Sequence, residues 1–466
     1  MGSESRESRV TDEFDLIVLG AGTGGYSAAI RGAGLGLKVA LVERDLVGGT
    51  CLHRGCIPTK ALLHSAEVFD TMGEAGAFGV SAEGRSFDWP GVQSYKDKVV
   101  TKMFKGLEAL IKHQKIEVVR GTGTLRSPTS VSVDGREITA KNVVVATGSE
   151  PKMIPGLSRG ARVITSDEAL VNGVPKSAIV LGAGSVGVEF ASIWASFGST
   201  VTVVEMLPSM LPLEDADLGK EIAKQFGKRG IKCLTGAKLE DASVSDDGVR
   251  ATVSLDGKTE TIDAEVLLVA VGRGPVTKDA GLDTAGVTID QRGFVQIDEK
   301  LQTTASGVYA IGDCINTPGL AHVSFGEGMY VAEQLAGHKT APVDYNAVPR
   351  ATYSSPEVAA VGMTESQARE KGFDVVTKTV QLTGIGKAVI LQTNGFCKIV
   401  AEKGGRVLGV HFIGARVTEL VAEAMLAVGW EAMPEEIAAL IHPHPTLSES
   451  FGEAALALSG RALHTL

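Results

Sequence analysis

Cysteine is scarce in this chain, with five in 466 residues. So few thiols over such a length exclude a disulfide-stapled secreted scaffold and favour a reducing compartment, with a bacterial-type cytoplasm as the expected location. A basic surplus is also missing. Lys and Arg number 45 against 55 Asp and Glu, for a net charge of −10, which argues against nucleic acid and against anionic membrane surfaces. Met1 to Val10 alternates acidic and basic side chains and carries no apolar stretch, so it reads as neither a secretory signal nor a transit peptide. Long apolar runs are nearly absent. The exception, Ala178 to Val204, carries one charge, Glu189, over more than the ~20 residues that cross a bilayer. Its glycines and the closing Glu205 fit a buried strand–turn–helix–strand instead. No metal is expected. What remains is ordinary globular composition, 44% apolar and 21% charged, on a chain long enough for about three domains.

One pattern occurs twice. Phe14-Asp-Leu-Ile-Val-Leu leads into Gly20-Ala-Gly22-Thr-Gly-Gly25, then a small-residue helix, then Lys38-Val-Ala-Leu-Val-Glu43. Ser177-Ala-Ile-Val-Leu leads into Gly182-Ala-Gly184-Ser-Val-Gly187, a second helix, and Thr200-Val-Thr-Val-Val-Glu205. In a G-x-G-x-x-G turn the first glycine makes the tight bend. The second lets backbone approach a pyrophosphate, and the third lets helix pack on strand. The helix N-terminus offers N–H groups to the phosphates, and the terminal acid accepts from ribose hydroxyls. A lone motif is weak, but here strand, helix and terminal acid accompany it in both copies. Two dinucleotides are implied. Glu205 suits a free 2′-hydroxyl, and Met206, Leu207 and Pro208 supply no arginine for a 2′-phosphate, so the second dinucleotide is expected to be NAD rather than NADP. Val143-Val-Val-Ala-Thr-Gly148, Val266-Leu-Leu-Val-Ala-Val-Gly272 and Thr304 to Asp313 read as strands ending in glycine or Gly-Asp. Each is as consistent with a plain core strand as with a ligand crevice.

Between the first unit and its continuation lies Gly48-Gly-Thr-Cys51-Leu-His-Arg-Gly-Cys56-Ile-Pro-Thr-Lys60. Five residues of regular helix separate Cα atoms by roughly 8 Å, and a disulfide needs about 4.4–6.8 Å. The segment must bend if the two sulfurs pair. Such a pair reads either as a redox relay or as two packing thiols. A relay needs a base, because only thiolate exchanges with a disulfide and a free thiol titrates near 8.5. Of nine histidines, His444 is the best placed. Pro443 and Pro445 restrain its backbone, and Glu449 can accept from its second ring nitrogen. A histidine between prolines can equally be a plain loop residue.

Taken together, Gly-Gly-Thr-Cys51-x4-Cys56-Ile-Pro-Thr-Lys60, Ala146-Thr-Gly148, Gly182-x-Gly-x-x-Gly187-Val-Glu189, Gly312-Asp313 and His442-Pro-His-Pro-Thr-Leu-Ser-Glu449 resemble the class I flavin-dependent pyridine nucleotide-disulfide oxidoreductases, within them the branch that oxidises a dihydrolipoyl group. The resemblance runs from about Phe14 to Phe451. It implies FAD on the first unit, with Glu43 at the adenosine ribose, Asp313 at the ribityl chain, and Gly123, Gly148 and Ala321 in the same site. It implies NAD on the second unit with Gly272, and a Lys60–Glu189 pair near the flavin. It implies a redox disulfide between Cys51 and Cys56, and His444 with Glu449 as the base. It also implies an obligate homodimer in which the histidine reaches the dithiol of the other subunit. His442 is expected to be structural, and Cys233, Cys314 and Cys397 are read as packing residues. His53-Arg54 replaces an Asn-Val more usual in the family, which keeps the cysteine spacing and alters the charge nearby.

The expected fold is α/β, with two Rossmann-like domains and a C-terminal α+β dimerisation domain. The expected division is 1–150 for FAD, 151–271 for NAD, 272–346 completing the FAD site, and 347–466 for dimerisation. The stretch before Phe14 is too short for a lipoyl-bearing domain, so the lipoyl group is expected on a partner, a 2-oxo-acid complex acyltransferase or a glycine-cleavage lipoyl protein. A glutathione reductase is disfavoured by Glu205, and a mercuric reductase by the lack of cysteines after Cys397. A catalytically idle flavoprotein subunit would not need Cys51, Cys56, His444 and Glu449 together. Steady-state rates with NADH should exceed those with NADPH by at least about tenfold, a ~1.4 kcal/mol discrimination. A preference for NADPH would overturn the reading of Glu205.

Overall fold

The computed structural model describes residues 12–464, so the Met1–Val10 stretch lies outside the described residues. The chain falls into two compact units. One takes the chain up to Pro58 with Asp97–Glu150 and Arg273–Tyr345; the other takes Thr59–Lys96, Pro151–Gly272 and the chain from Asn346 onward.

In the first unit the strands Asp12–Leu19, Val39–Glu43, Glu117–Arg120 and Val308–Ala310 join the long strand Arg136–Val145 in one sheet. The core pairings are parallel: Leu16 faces Val39, Ile17 faces Val143, Glu43 faces Arg120 and Tyr309 faces Val144. Leu16, Ile17, Val18, Leu41 and Val143 to Val145 are all buried, as continuous apolar runs covered on both faces must be. The first half of Arg136–Val145 instead turns into an antiparallel meander with Ser130–Val133 and Gly123–Ser127. Helix Thr23–Gly34 is built of small residues and packs tightly against helix Ala321–Leu335. A Cβ on Gly328 would lie 2.5 Å from the Gly24 carbonyl oxygen.

The second unit repeats the scheme. Strands Ser177–Leu181, Thr200–Glu205, Lys232–Thr235, Val266–Val269 and Val163–Ile164 are parallel. A three-stranded antiparallel sheet, Lys238–Val244, Val249–Leu255 and Lys258–Ala264, follows. The apolar run noted above becomes a strand, helix Ser185–Ser196 and a strand. Among the described residues no helix is long and apolar enough to cross a membrane.

From Arg350 the same unit builds a five-stranded antiparallel sheet in the order 350–352, 357–362, 407–414, 396–402, 375–381. Helices Val417–Gly429 and Glu449–Leu458 pack on it through Val421, Ala424, Phe451 and Ala454. The sequence reads a second helix over Pro434 to Ile441, but it ends at Ile437. Beyond Ile437 the helical bonds give way to a tighter i→i−3 bond, from the Leu440 N–H to the Ile437 carbonyl at 3.0 Å, and the helix closes as a turn.

One buried charge cluster joins this sheet to the start of the helix Ala216–Lys228 within the unit. The Lys398 ammonium, 4% exposed, lies 3.0 Å from Asp215, 2.7 Å from Asp217 and 2.9 Å from Glu365. Burial alone would push the lysine down, but hydrogen bonds to Asp217, Glu365 and Asp215 outweigh it and hold it above its ordinary value. Hydrogen bonding to Lys398 in turn leads the lowering of the Asp217 and Glu365 carboxyls. Burial raises Asp215, yet nearby His411 and Lys398 leave it below the usual range. Removing one partner of such a pair strands the others, a loss of about 3–5 kcal/mol. Lys398→Met should therefore lower the urea midpoint clearly at pH 7. Because the carboxyls titrate lower when folded, their stabilisation is complete above the unfolded value near 4 and lost as pH falls through the folded values. The gap between wild type and variant should thus narrow at pH 3.5. Equal midpoints at pH 7 would contradict this account.

Candidate active site

The two glycine turns have the same internal geometry. A Cβ on Gly20 would fall 2.3 Å from the Ala146 carbonyl oxygen, and one on Gly25 would fall 1.8 Å from that of Gly20. At Gly182 and Gly187 the corresponding approaches are 2.5 Å to Ala270 and 2.0 Å to Gly182. The middle glycines differ. Gly22 and Gly184 have nothing within 4 Å of a built Cβ. Both following helices also start without a side-chain cap, so their first N–H groups stay open to an anion. Closed outer glycines, an open middle glycine and an uncapped helix suit a dinucleotide pyrophosphate in each unit.

The terminal acids serve these turns. Glu43 accepts from the Ala21 N–H at 2.8 Å and the Asp45 N–H at 2.9 Å. Glu205 accepts from Ala183 at 2.7 Å and Leu207 at 2.8 Å. Each carboxylate thus ties the glycine turn to the loop after its own strand, while a carboxylate oxygen can accept more than one donor.

The cysteine segment bends where its spacing requires. Cys51 sits on the short helix Gly49–Arg54, and Cys56 opens the helix Cys56–Glu74. Gly55 lies between them outside helical geometry, and a Cβ there would come 3.0 Å from the Thr50 carbonyl oxygen and 3.4 Å from the Cys51 Cα. Gly48 and Gly49 have φ of 110° and 58°. A Cβ on Gly49 would sit 2.6 Å from the Gly22 Cα, so the cysteine-bearing turn rests directly on the first dinucleotide turn. The Tyr26 hydroxyl, on the helix that follows that turn, is pushed up to about 12 by burial and by Cys51 and Cys56. Both thiols are half-buried. His53 and Arg54 are engaged with the preceding loop: the His53 ring nitrogen Nε2 lies 2.9 Å from the Val47 carbonyl, its ring stands edge-on to Phe104, and Arg54 pairs with Asp45.

Each unit also carries a polar assembly of its own. Ser149 donates to Asp313 at 2.5 Å, and Arg273 donates to the Ser149 hydroxyl at 2.7 Å and to its carbonyl at 2.6 Å. Beneath Asp313, the buried Glu327 accepts from the Gly312 N–H at 2.6 Å and from Thr317 and Tyr345. In the second unit Lys60 donates to both Glu189 oxygens at 2.9 and 2.8 Å. Glu189 also accepts from the Tyr353 N–H at 3.0 Å, and the ammonium stands 4.8 Å from the Tyr353 ring centroid. Ser149, Arg273, Glu327 and Tyr353 escaped the sequence reading. Ser149, Arg273 and Tyr353 lie more than a hundred residues from the partners they meet, and none of the four belongs to a motif.

His444 Nδ1 lies 2.9 Å from Glu449. Burial raises the Glu449 carboxyl, but the Thr446 N–H and the His444 ring pull it below its ordinary range. An anionic Glu449 accepts a hydrogen bond from Nδ1–H, which leaves Nε2, on a largely exposed ring, as the nitrogen with a free lone pair. His442 lies 2.8 Å from Glu423 and titrates above its usual value because of that contact.

The remaining expected residues vary in placement. Gly148 and Gly272 both have positive φ, 73° and 105°, and open space around a Cβ. Ala321 opens its helix, partly exposed. Gly123 packs beneath Leu19 and Val42, with a built Cβ 2.4 Å from the former, which accounts for its glycine without a ligand. Cys314 and Cys397 are wholly buried; burial pushes the Cys314 thiol up to about 12 and Cys233 to about 11. These thiols are poorly nucleophilic. Among the described residues no group of three or more His, Cys, Asp or Glu side chains could hold a metal ion.

Comparison with known proteins settles the lineage. The model of the pyridine nucleotide-disulphide oxidoreductases matches residues 14–328. The chain belongs to this family. The family's dimerisation domain matches residues 348–455, which supports a homodimer. A dihydrolipoyl dehydrogenase from Bacillus subtilis is 44% identical over 97% of this chain and 99% of its own. One from Mycobacterium tuberculosis is 41% identical with the same coverage. Among solved structures, LpdA from Mycobacterium tuberculosis superposes with a TM-score of 0.88 at 26% identity, over 96% of this chain and 100% of that one. The flavoprotein disulfide reductase RclA from Escherichia coli gives 0.83 at 28% identity, over 95% and 99%.

The glycine geometry separates folding from binding in this oxidoreductase. Gly187→Ala should cost about 1–3 kcal/mol of stability by overpacking. Gly184→Ala should leave stability within about 0.5 kcal/mol and raise the Kd for NADH about tenfold. Melting curves and NADH titration check both, and an equal loss of stability in the two variants would refute the distinction.

Proposed function

We propose that the chain is a dihydrolipoyl dehydrogenase: it oxidises the dihydrolipoyl group of a lipoyl-bearing protein through a Cys51–Cys56 redox disulfide and delivers the reducing equivalents to NAD+. The observation that carries this reading is the seating of Gly49 on Gly22, which sets both thiols at a dinucleotide turn. FAD bound there would supply the two-electron link between a dithiol and a hydride acceptor.

The protein's own residues do the rest. Gly22, the uncapped helix after it and Glu43 hold the FAD phosphates and ribose, and Asp313, fixed by Ser149 and Arg273, presents a carboxylate for the ribityl hydroxyls. Gly184 and Glu205 hold NAD, with Glu205 excluding a 2′-phosphate by charge. Lys60 keeps its ammonium in place on Glu189. His444, held on Glu449, takes a proton from a substrate thiol at Nε2. The thiolate attacks the Cys51 sulfur, the bond to Cys56 breaks, and Cys56 leaves as thiolate. The second substrate thiolate then displaces Cys51, so the substrate closes to a disulfide and both cysteines are reduced.

His444 comes from the dimerisation domain, and in this reading it serves the dithiol of the partner subunit, which makes the homodimer the catalytic unit. The substrate is carried by a 2-oxo-acid complex acyltransferase or a glycine-cleavage protein in a reducing cytoplasm. Cys51→Ser should cut dihydrolipoamide-dependent NAD+ reduction by on the order of a thousandfold or more while the purified protein keeps its FAD absorbance. Turnover near the wild-type rate would remove the dithiol from the mechanism.

A further inference from the structure

The His444–Glu449 pair has company. Three imidazoles gather around the start of helix Glu449–Leu458, each on its own carboxylate: His442 on Glu423, His444 on Glu449 and, at 2.9 Å, His464 on Glu453. Glu449 and Glu453 are four residues apart and share one helical face. His464 is held twice, its backbone N–H donating to Glu453 Oε2 at 3.0 Å and its ring Nδ1 lying beside Oε1. Glu453 is 6% exposed, so this clamp draws residues 461–464 back along the helix. A Cβ on Gly384 would lie 3.5 Å from the His464 carbonyl oxygen, and one on Gly386 would lie 3.9 Å from the His444 ring. Residues 384–386 therefore lie against both.

Glu449 feels the His464 ring as well as the His444 ring, and His442 feels Glu449. Charged groups on the elements that meet here include Lys378, Lys387 beside Gly386, and Arg461 three residues before His464. Lys378 shares a strand face with Val376 and Val380, which pack in the same cluster as Phe451 on the helix. No sequence motif joins His464 to the base, since nineteen residues and a helix intervene.

We propose that His464 is a positioning residue for the His444–Glu449 base: clamped on Glu453, it holds a second imidazole one helical turn from Glu449 and its main chain against residues 384–386, which adjoin the His444 ring. The proposal rests on His444 being the base. When protonated, His464 favours ionised Glu449 and so the tautomer that leaves His444 Nε2 free; its clamp also steadies residues 384–386 against the His444 ring.

The test uses the full-length holoenzyme. His464→Asn keeps a donor near the Nδ1 position and removes the charge; His464→Ala removes both. Each should lower kcat for dihydrolipoamide oxidation about two- to fivefold, the scale of a partly exposed charge contact. Each should leave the KM for dihydrolipoamide within about twofold and displace the acid limb of the kcat–pH profile. FAD content and NADH-dependent ferricyanide reduction should not change. A wild-type kcat and pH profile in His464→Asn would make the residue a structural clamp only and overturn the proposal. If His464→Ala does not fold, His464→Asn decides alone. His444→Gln is the control: its expected loss of turnover shows that a negative result at His464 concerns His464 and not the base.

Discussion

The contact between Gly49 and Gly22 is the constraint on which the candidate site depends. Backbone meets backbone there with no room for a side chain, and the thiol-bearing turn is thereby seated on the first dinucleotide turn. The demand propagates. Gly48 and Gly49 must adopt positive φ, Gly55 must leave the helix, and only then can Cys56 begin a new helix beside Cys51. A methyl group at Gly49 would move the thiols away from the nucleotide turn. The site is therefore specified by close approach of main chain, with side-chain chemistry added to it.

Charge is handled differently in different places. Lys398 is buried against three carboxylates and joins a sheet to two helices within one unit. Lys60 and Glu189 form a bidentate, partly covered pair aligned by the Tyr353 amide. The histidine–carboxylate pairs around Glu449 are more exposed. Buried ions anchor because leaving them unpaired is costly. Exposed imidazoles remain free to exchange protons near neutral pH. The first kind serves as scaffolding, and the second is the kind that the proposed proton transfer requires.

Much of this was legible in the residues. Both glycine turns, their strands and terminal acids appeared as expected, since hydrophobic runs, glycine spacing and a closing acid are local signals. Helix geometry requires a bend between Cys51 and Cys56 if the two sulfurs pair, and the segment does leave the helix at Gly55. The short helix after Pro434 was read too long, because it closes as a turn while the apolar pattern continues past it. Leu19 and Val42 leave no room for a side chain at Gly123, which only packing could reveal.

By itself the sequence determined the repeated nucleotide units, the dithiol and its bend, and the pairing of His444 with Glu449 five residues away, because each is set by spacing along a short stretch of chain. Tertiary structure alone decided that Gly49 lies on Gly22, that Ser149 and Arg273 orient Asp313, that Tyr353 aligns Glu189, and that His464 returns to Glu453. Those contacts join residues separated by up to 164 positions. Their partners are chosen by how sheets and helices pack, and no local pattern encodes that choice.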